Sequence, residues 1–119
     1  MFVYYINVPI NEKGVEELDT YDEEMKNVKT FELSSEEYEV LRKPDGLFQK
    51  FDNAFGTIID ICEEERINND NLDLAIQFAS ELRRKRCSDV LKSGLDKILE
   101  SLTLAAEVGL FWEIDIYLE

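Results

Sequence analysis

Carboxylates are the side chains that this sequence offers in greatest number for chemistry, and the densest groups of them form two runs. The first run, over residues 12–24, contains Glu12, Glu16, Glu17, Asp19, Asp22, Glu23 and Glu24. The second run is Glu63-Glu64-Glu65. Paired carboxylates can act as the acid and base of a glycosidase. With 27 Asp and Glu residues in the chain, some pair of carboxylates will lie at almost any chosen separation. A suitably spaced pair therefore does not favour such an enzyme.

The sequence has no histidine, and this absence excludes several kinds of active site. Ser-His-Asp and Cys-His catalytic arrangements, HExxH metal sites and Cys2His2 zinc sites all require that residue. The glycines form neither of the usual phosphate-binding patterns, GxxxxGK(S/T) or GxGxxG. Neither Asp19–Glu24 nor Asn68–Asp73 has the central glycine of an EF-hand loop, which leaves only weak surface binding of calcium. The sequence therefore predicts that the protein is not an enzyme and has no catalytic, cofactor-binding or metal-binding residues.

Two cysteines, Cys62 and Cys87, are the only thiols, and they do not form a CxxC pair. Free thiols favour a reducing compartment, with a single disulfide as the alternative. Residues 1–9 are apolar from the start and lack a basic region, so they predict a first strand rather than a secretory signal. No apolar run reaches the roughly 20 residues that a membrane span needs. These features predict a cytoplasmic protein with no membrane partner.

The charge of the chain is strongly unbalanced, with 27 acidic and 13 basic residues and a formal net charge of −14. Residues 1–73 hold 19 acidic and 7 basic residues, and no basic residue follows Lys97. A small domain needs a net charge of only about 2 to 8 in magnitude to stay in solution. A larger acidic field accelerates association with cationic partners and repels anionic ones. We therefore expect a basic protein partner, with solubility alone as the competing explanation.

A basic cluster, Arg83-Arg84-Lys85-Arg86, is the one feature that could suggest nucleic-acid binding. Cations at the C-terminal end of a helix also complement the helix dipole, which gives the cluster a structural explanation. Phosphate contacts dominate affinity for nucleic acids, and a net charge of −14 opposes them. The sequence therefore predicts no binding of nucleic acid.

Alternating or β-branched apolar residues predict the strands of the fold. These strands cover residues 2–8, 28–33, 57–62 and 110–118. The last is the clearest, because strict alternation from Leu110 to Leu118 separates an apolar face from a mixed one. The run 57–62 could instead continue a helix, and Glu63–Arg66 is predicted as an acidic turn.

Helical spacing of apolar residues predicts helices over residues 47–55, 72–86 and 89–106. Ser34 and Glu37 match a capping box, which predicts a further short helix that ends near Arg42. The acidic segment 12–24 fits either a loose helix or an exposed loop, and both remain open. The elements predict one α+β domain over residues 1–119. Its small antiparallel sheet includes the N- and C-terminal strands and packs against several helices, with a long C-terminal helix.

Three stretches occur in a recognisable order along the chain. They are the run Phe31–Tyr38, the run Ile59–Glu64 that follows Gly56, and the helix end Ala105–Gly109 before the last strand. With these stretches the chain resembles small bacterial immunity proteins of polymorphic and contact-dependent toxin systems. The resemblance implies a protein that binds a cognate toxin domain, usually a basic and nuclease-like one, and blocks its active site. It transfers no catalytic or binding residue to this sequence.

The residues predicted to contact the partner come from the two acidic runs and include one tyrosine of the first. They are Glu16, Glu17, Asp19, Tyr21, Asp22, Glu23, Glu24, Glu63, Glu64 and Glu65. Their carboxylates would pair with Lys and Arg of a cognate toxin domain, and Tyr21 would serve as an aromatic anchor. The alternative function is an acidic regulatory module, or a nucleic-acid mimic that acts on a DNA-binding protein. The oligomeric state is left open.

Overall fold

A computed structural model describes residues 1 to 119 and contains four strands and five helices. The strands are β1 (Phe2–Pro9), β2 (Val28–Leu33), β3 (Glu64–Asn68) and β4 (Phe111–Leu118). The helices are α1 (Glu12–Thr20), α2 (Ser35–Leu41), α3 (Leu47–Phe55), α4 (Asn69–Arg84) and α5 (Asp89–Val108). All strand pairs are antiparallel, in the order β2-β1-β4-β3. The predicted α+β class is confirmed, with both terminal strands in the sheet and a long C-terminal helix.

One face of the sheet, the inner face, carries the hydrophobic core beneath α2, α3, α4 and α5. Alternate residues of the two central strands point into it, and Ile6 of β1 lies opposite Ile114 of β4. Trp112 of β4 is fully buried, and its indole Nε1 donates to the Ser101 Oγ of α5 at 2.8 Å. Its ring lies 6.0 Å from that of Phe51 on α3, in an edge-to-face arrangement. The apolar face predicted for the last strand is therefore the floor of the core.

The boundaries of α2 and α5 coincide with capping signals in the sequence. The Ser34 Oγ accepts a hydrogen bond from the Glu37 backbone N–H at 3.1 Å, and a Glu37 carboxylate oxygen accepts one from the Ser34 N–H at 2.8 Å. This reciprocal pair confirms the predicted capping box at the start of α2. The long helix α5 begins after Ser88 and ends at Gly109, whose positive φ of 82° stops it.

The acidic segment that the sequence left undecided is a helix followed by a turn. Asn11 caps α1 by accepting the Gly14 N–H at 3.0 Å, and Tyr21 ends it in the left-handed region with φ 54°. Leu18 is buried and fixes α1 against the second face of the sheet, the outer face. The backbone N–H and side-chain amide of Asn27 both donate to the Glu17 carboxylate, at 2.8 Å each. These contacts hold the chain after α1 back against the helix.

The prediction of a third strand over residues 57–62 is wrong. That segment has no strand pairing, because the Asp52 Oδ1 accepts hydrogen bonds from the Thr57 Oγ1 and the Ile59 N–H, at 2.7 and 3.0 Å. The segment therefore makes its hydrogen bonds to a nearby side chain instead of to a neighbouring strand. The third strand is β3, which begins inside the predicted acidic turn. It pairs with β4 because Ile67 reaches the core opposite Trp112.

The remaining sequence features have simple places in the fold. The two cysteines are both free: Cys62 is exposed and Cys87 is half-buried. In the basic cluster at the end of α4, the Arg83 Nε donates to Asp96 of α5 at 2.8 Å. This ion pair between neighbouring helices agrees with the structural interpretation of the cluster. None of the helices has the length and apolar character needed to cross a bilayer.

Candidate functional site

A cleft of about 660 Å³ opens on the outer face of the sheet, between the C-terminal end of α1 and strands β1, β3 and β4. Its floor contains Asn7, Glu113 and Asp115. Apolar and aromatic side chains form its walls, namely Tyr5, Leu18, Met25 and Tyr117. Its mouth is the acidic rim, which we define as Tyr21, Asp22, Glu63 and Glu64. The lining therefore combines a polar floor, aromatic walls and an anionic entrance.

The pairing register of the sheet brings the floor residues together. Asn7 of β1 lies opposite Glu113 of β4, and Glu113 lies opposite Arg66 of β3. Asp115 lies opposite Glu64 in the same ladder. Since residues two apart on a strand share a face, all of these side chains project from the outer face. A shift of one residue in register would send them into the apolar core instead.

Hydrogen bonds fix the two carboxylates of the floor. The Thr30 Oγ1 donates to the Asn7 Oδ1 at 2.8 Å, and the Asn7 Nδ2 donates to the Asp115 Oδ2 at 2.8 Å. On the other side, the Arg66 Nε donates to the Glu113 Oε1 at 2.6 Å. Each floor carboxylate is therefore held by one of its two oxygens.

Arg66 belongs to this network but points away from the cleft. Its second donor group reaches the Asp19 Oδ1 at 2.8 Å, and its guanidinium lies 4.2 Å from the centre of the Phe111 ring. A guanidinium stacked on an aromatic face and held by two carboxylates has little freedom to turn. Arg66 is therefore a fixed structural cation behind the floor.

The second oxygens of the floor have no donor from the protein. The Asp115 Oδ1 is buried and is the single buried side-chain acceptor of the chain without a partner. Glu113, whose side chain is only 2% exposed, accepts its one hydrogen bond at Oε1. Carboxylate oxygens of Glu64, Glu113 and Asp115 lie within 4.8 Å of one another. Such a cluster leaves an excess of negative charge that Arg66 alone does not neutralise.

Burial and mutual repulsion change the protonation of the floor. Burial, together with the charge of Asp115, raises the pKa of Glu113 to about 8, even though Arg66 acts in the opposite direction. Burial also raises the pKa of Asp115, with a further contribution from the charge of Glu64. Because the two carboxyls interact directly, they titrate as a pair, and the pair shares one proton near neutral pH. That proton provides the hydrogen bond that the unpartnered oxygens otherwise lack.

The acidic rim joins the two runs of the sequence that were predicted to form separate contact patches. The Tyr21 hydroxyl donates to the Glu64 Oε2 at 2.7 Å, which links the end of α1 to β3. This hydrogen bond raises the pKa of the Tyr21 phenol. Tyr21 nevertheless remains 74% exposed, so its ring is free to contact a partner. Residues more than 40 positions apart thus form one surface.

No protein-family model, curated protein or solved structure gives a significant match to this chain. An anionic floor with free acceptors, set between aromatic side chains, is suited to bind a cation.

The other predicted contact residues lie outside the cleft. Glu23 and Glu24 are exposed in the turn that follows the rim, and Glu16 is exposed on α1. Glu17 is engaged by Asn27, and these hydrogen bonds lower the pKa of its carboxyl. Glu65 pairs with Ile114 and therefore lies on the opposite face of the sheet from Glu64.

Sequence reasoning missed the floor of the cleft, which consists of Asn7, Glu113 and Asp115. The alternation of the last strand placed Glu113 and Asp115 on its mixed face, in the part of the chain that has no basic residue after Lys97. No local pattern showed that α1 would cover that face. The available signal was the pairing of terminal strands, because pairing of β1 with β4 brings Asn7 beside Glu113.

Proposed function

We propose that this protein is a non-enzymatic inhibitory binding protein, an immunity protein that binds a basic, nuclease-like toxin domain through the cleft and its acidic rim. The observation that supports this proposal is the lining of the cleft. Five of the lining residues are acidic, and none is basic. An anionic concave surface on a rigid sheet attracts a cationic partner and excludes nucleic acid.

The rim presents exposed negative charge and one exposed aromatic ring to a partner. Asp22, Glu63 and Glu64 are exposed, and no lysine or arginine of the chain forms an ion pair with any of them. No cation of the chain therefore offsets the negative charge of these three carboxylates. Tyr21 adds a large exposed ring, and tyrosine is enriched among residues that dominate binding energy. The rim thus combines electrostatic steering with an aromatic anchor.

The proposal is tested by reversing charge at the rim. The variant Asp22→Lys/Glu63→Lys should fold normally, because both side chains are exposed. Immobilised wild-type protein should retain a basic partner from a lysate of the native cell, and the partner is identified by mass spectrometry. The isolated partner should associate more slowly with the variant, with a weaker dependence of the rate on salt. Wild-type protein should also block the catalytic activity of the partner at a stoichiometric ratio.

A matched control variant shows whether the position of the reversed charges matters, or only the change in net charge. Glu39→Lys/Glu107→Lys changes the net charge equally, but at exposed positions on α2 and α5, on the other side of the sheet. We expect this control to bind the partner like the wild type. Equal weakening in both double variants would contradict the assignment of the surface. Release of the partner by duplex DNA, without inhibition of any catalytic activity, would instead favour a nucleic-acid mimic.

A further inference from the structure

We propose that the cleft is a lysine subsite, in which the carboxylates of Glu64, Glu113 and Asp115 receive the ammonium group of one lysine side chain of the basic protein partner. This inference rests on the proposed function and names the group that the partner inserts.

The cleft offers separate surfaces for the two parts of a lysine side chain. The rings of Tyr5 and Tyr117, 5.9 Å apart, and the side chain of Leu18 line the approach to the floor. Apolar and aromatic walls can pack against the methylene groups of lysine. The charged end of the side chain then reaches the carboxylates. A volume of about 660 Å³ is within the range of specific ligand sites.

The spacing of the acceptors fits an ammonium group. Three oxygens that lie within 4.8 Å of one another are all within about 2.8 Å of a common point. This is the usual length of a charge-assisted hydrogen bond from nitrogen to a carboxylate oxygen. An ammonium group has three rotatable N–H donors, one for each carboxylate.

The same geometry is less suitable for an arginine or a metal ion. Each carboxylate already has one oxygen engaged: Glu113 by Arg66, Asp115 by Asn7, and Glu64 by Tyr21. Single free oxygens from three residues do not match the two-pronged fork of a guanidinium, which prefers both oxygens of one carboxylate. Calcium requires 6–8 oxygen ligands, and this cluster provides three carboxylates.

Lysine would take the place of the proton that the floor holds in the free protein. The charged and titratable groups facing Glu113 are Asp115 on β4, Arg66 and Glu64 on β3, Tyr5 on β1, and Asp19 and Tyr21 at the end of α1. Arg66 is the only cation among them. A bound ammonium adds a second cation, so it lowers the pKa of Glu113, and the carboxyl proton passes to the buffer. Binding at neutral pH should therefore release up to one proton.

The first test uses Nα-acetyl-lysine N-methylamide as the probe, at constant ionic strength. Its neutral analogue, Nα-acetyl-norleucine N-methylamide, has the same apolar chain without the charge. We expect the lysine probe to shift the backbone amide resonances of Tyr5, Asp115 and Tyr117, and the norleucine probe to leave them unchanged. Calorimetry in two buffers of different ionisation enthalpy should show proton release.

Two variants and a control assign the effect to the floor. Asp115→Asn keeps the shape of the side chain and should weaken the lysine probe about 30-fold or more, the usual loss when one partner of a buried charge pair is neutralised. Glu64→Gln lies on the exposed rim and tests the third acceptor if Asp115→Asn fails to fold. Glu39→Gln removes the same charge on α2 and should bind the probe like the wild type.

The outcomes for the probe and for the partner are distinguishable. Absence of probe shifts in the cleft, or equal shifts with norleucine, would overturn the lysine subsite. A shift of these amide resonances by calcium chloride at a lower concentration than by the lysine probe would also overturn the lysine subsite. If rim reversal releases the captured partner but Asp115→Asn does not, the subsite is wrong and the proposed function stands. If Asp115→Asn weakens the probe but no partner depends on the rim, the proposed function fails.

Discussion

The pKa values of two buried carboxyl groups of this protein, Glu37 and Glu113, shift in opposite directions. Burial acts to raise the pKa of Glu37, but hydrogen bonds from Lys97, the Ser34 N–H and Ser93 outweigh it and lower the pKa to about 2. These donors lie at 2.8, 2.8 and 2.6 Å. Glu113 has a single protein donor and a neighbouring carboxyl, so its pKa rises instead. The carboxylate of Glu37 is fully engaged by donors within the protein, whereas that of Glu113 can still accept a hydrogen bond from a ligand.

The raised pKa of Glu113 predicts that its contribution to stability falls as the pH rises. The folded state binds this proton more tightly than the unfolded chain, so the contribution is fully present below about pH 4.5 and is lost as the pH rises through about 8. Glu113→Gln removes the titration. Between these two pH values, wild-type protein should lose at least about 1.4 kcal/mol more unfolding free energy than the variant, the equivalent of one pKa unit. Chemical denaturation across the range measures the difference. Parallel pH profiles would show that burial does not perturb this carboxyl.

At the level of elements, α1 decides whether the outer face is a flat acidic surface or a cleft. It can approach the sheet because Gly14 has no side chain. A Cβ at this position would lie 2.1 Å from the Asn27 carbonyl oxygen and 3.0 Å from the Pro9 Cβ. Leu18, one turn later, is buried at the cleft wall. The close approach of α1 therefore maintains the low-dielectric environment of the floor.

Gly14→Ala should displace α1 from the sheet and open the cleft. The new methyl group meets backbone atoms that cannot move aside, so we expect a loss of about 1–3 kcal/mol in unfolding free energy. Greater exposure should also lower the pKa of Glu113 toward its ordinary value, which NMR titration of the side chain would detect. Lys13→Ala is a suitable control, because this neighbour in α1 is exposed. An unchanged pKa in Gly14→Ala would show that α1 does not control the floor.

For the molecule as a whole, the sheet separates a core that provides stability from a surface available for binding. The central strands are the two ends of the chain, and they pair with each other from Phe2↔Leu118 to Asn7↔Glu113. On the inner face, α5 packs its buried side chains, including Leu95 and Ile98, into the core. On the outer face, the same strands present the floor of the cleft. Substitutions on the inner face should therefore change stability, and substitutions on the outer face should change binding.

Leu95→Ala tests this separation. Leu95 is fully buried in α5, so its truncation should cost about 2–5 kcal/mol of unfolding free energy through lost burial and a residual cavity. Well below the midpoint of unfolding, the variant should bind the lysine probe with wild-type affinity, measured per folded molecule. Leu74→Ala on α4 is the control, because Leu74 is 41% exposed and should cost much less. A large loss of probe affinity in folded Leu95→Ala protein would contradict independence of the two faces.

Much of the fold was predictable because its signals are local. The capping box of Ser34 and Glu37, the periodicity of α5 and the alternation of β4 each lie within one element, and each was confirmed. The segment 57–62 was mispredicted because β-branched content does not reveal that Asp52 satisfies its backbone. Sequence reasoning also found the residues of the acidic rim, but as two separate patches.

The sequence by itself determined the acidic character, the α+β class and the division of the last strand into an apolar and a mixed face. Only the tertiary structure decided what covers the mixed face. Alternation defines two faces of a strand, but it contains no information about which helix packs on either one. The packing of α1 on the outer face joins the two acidic runs and buries Glu113 beside Asp115. Removal from water, rather than residue type, distinguishes these two carboxyls from the other acidic residues of the chain.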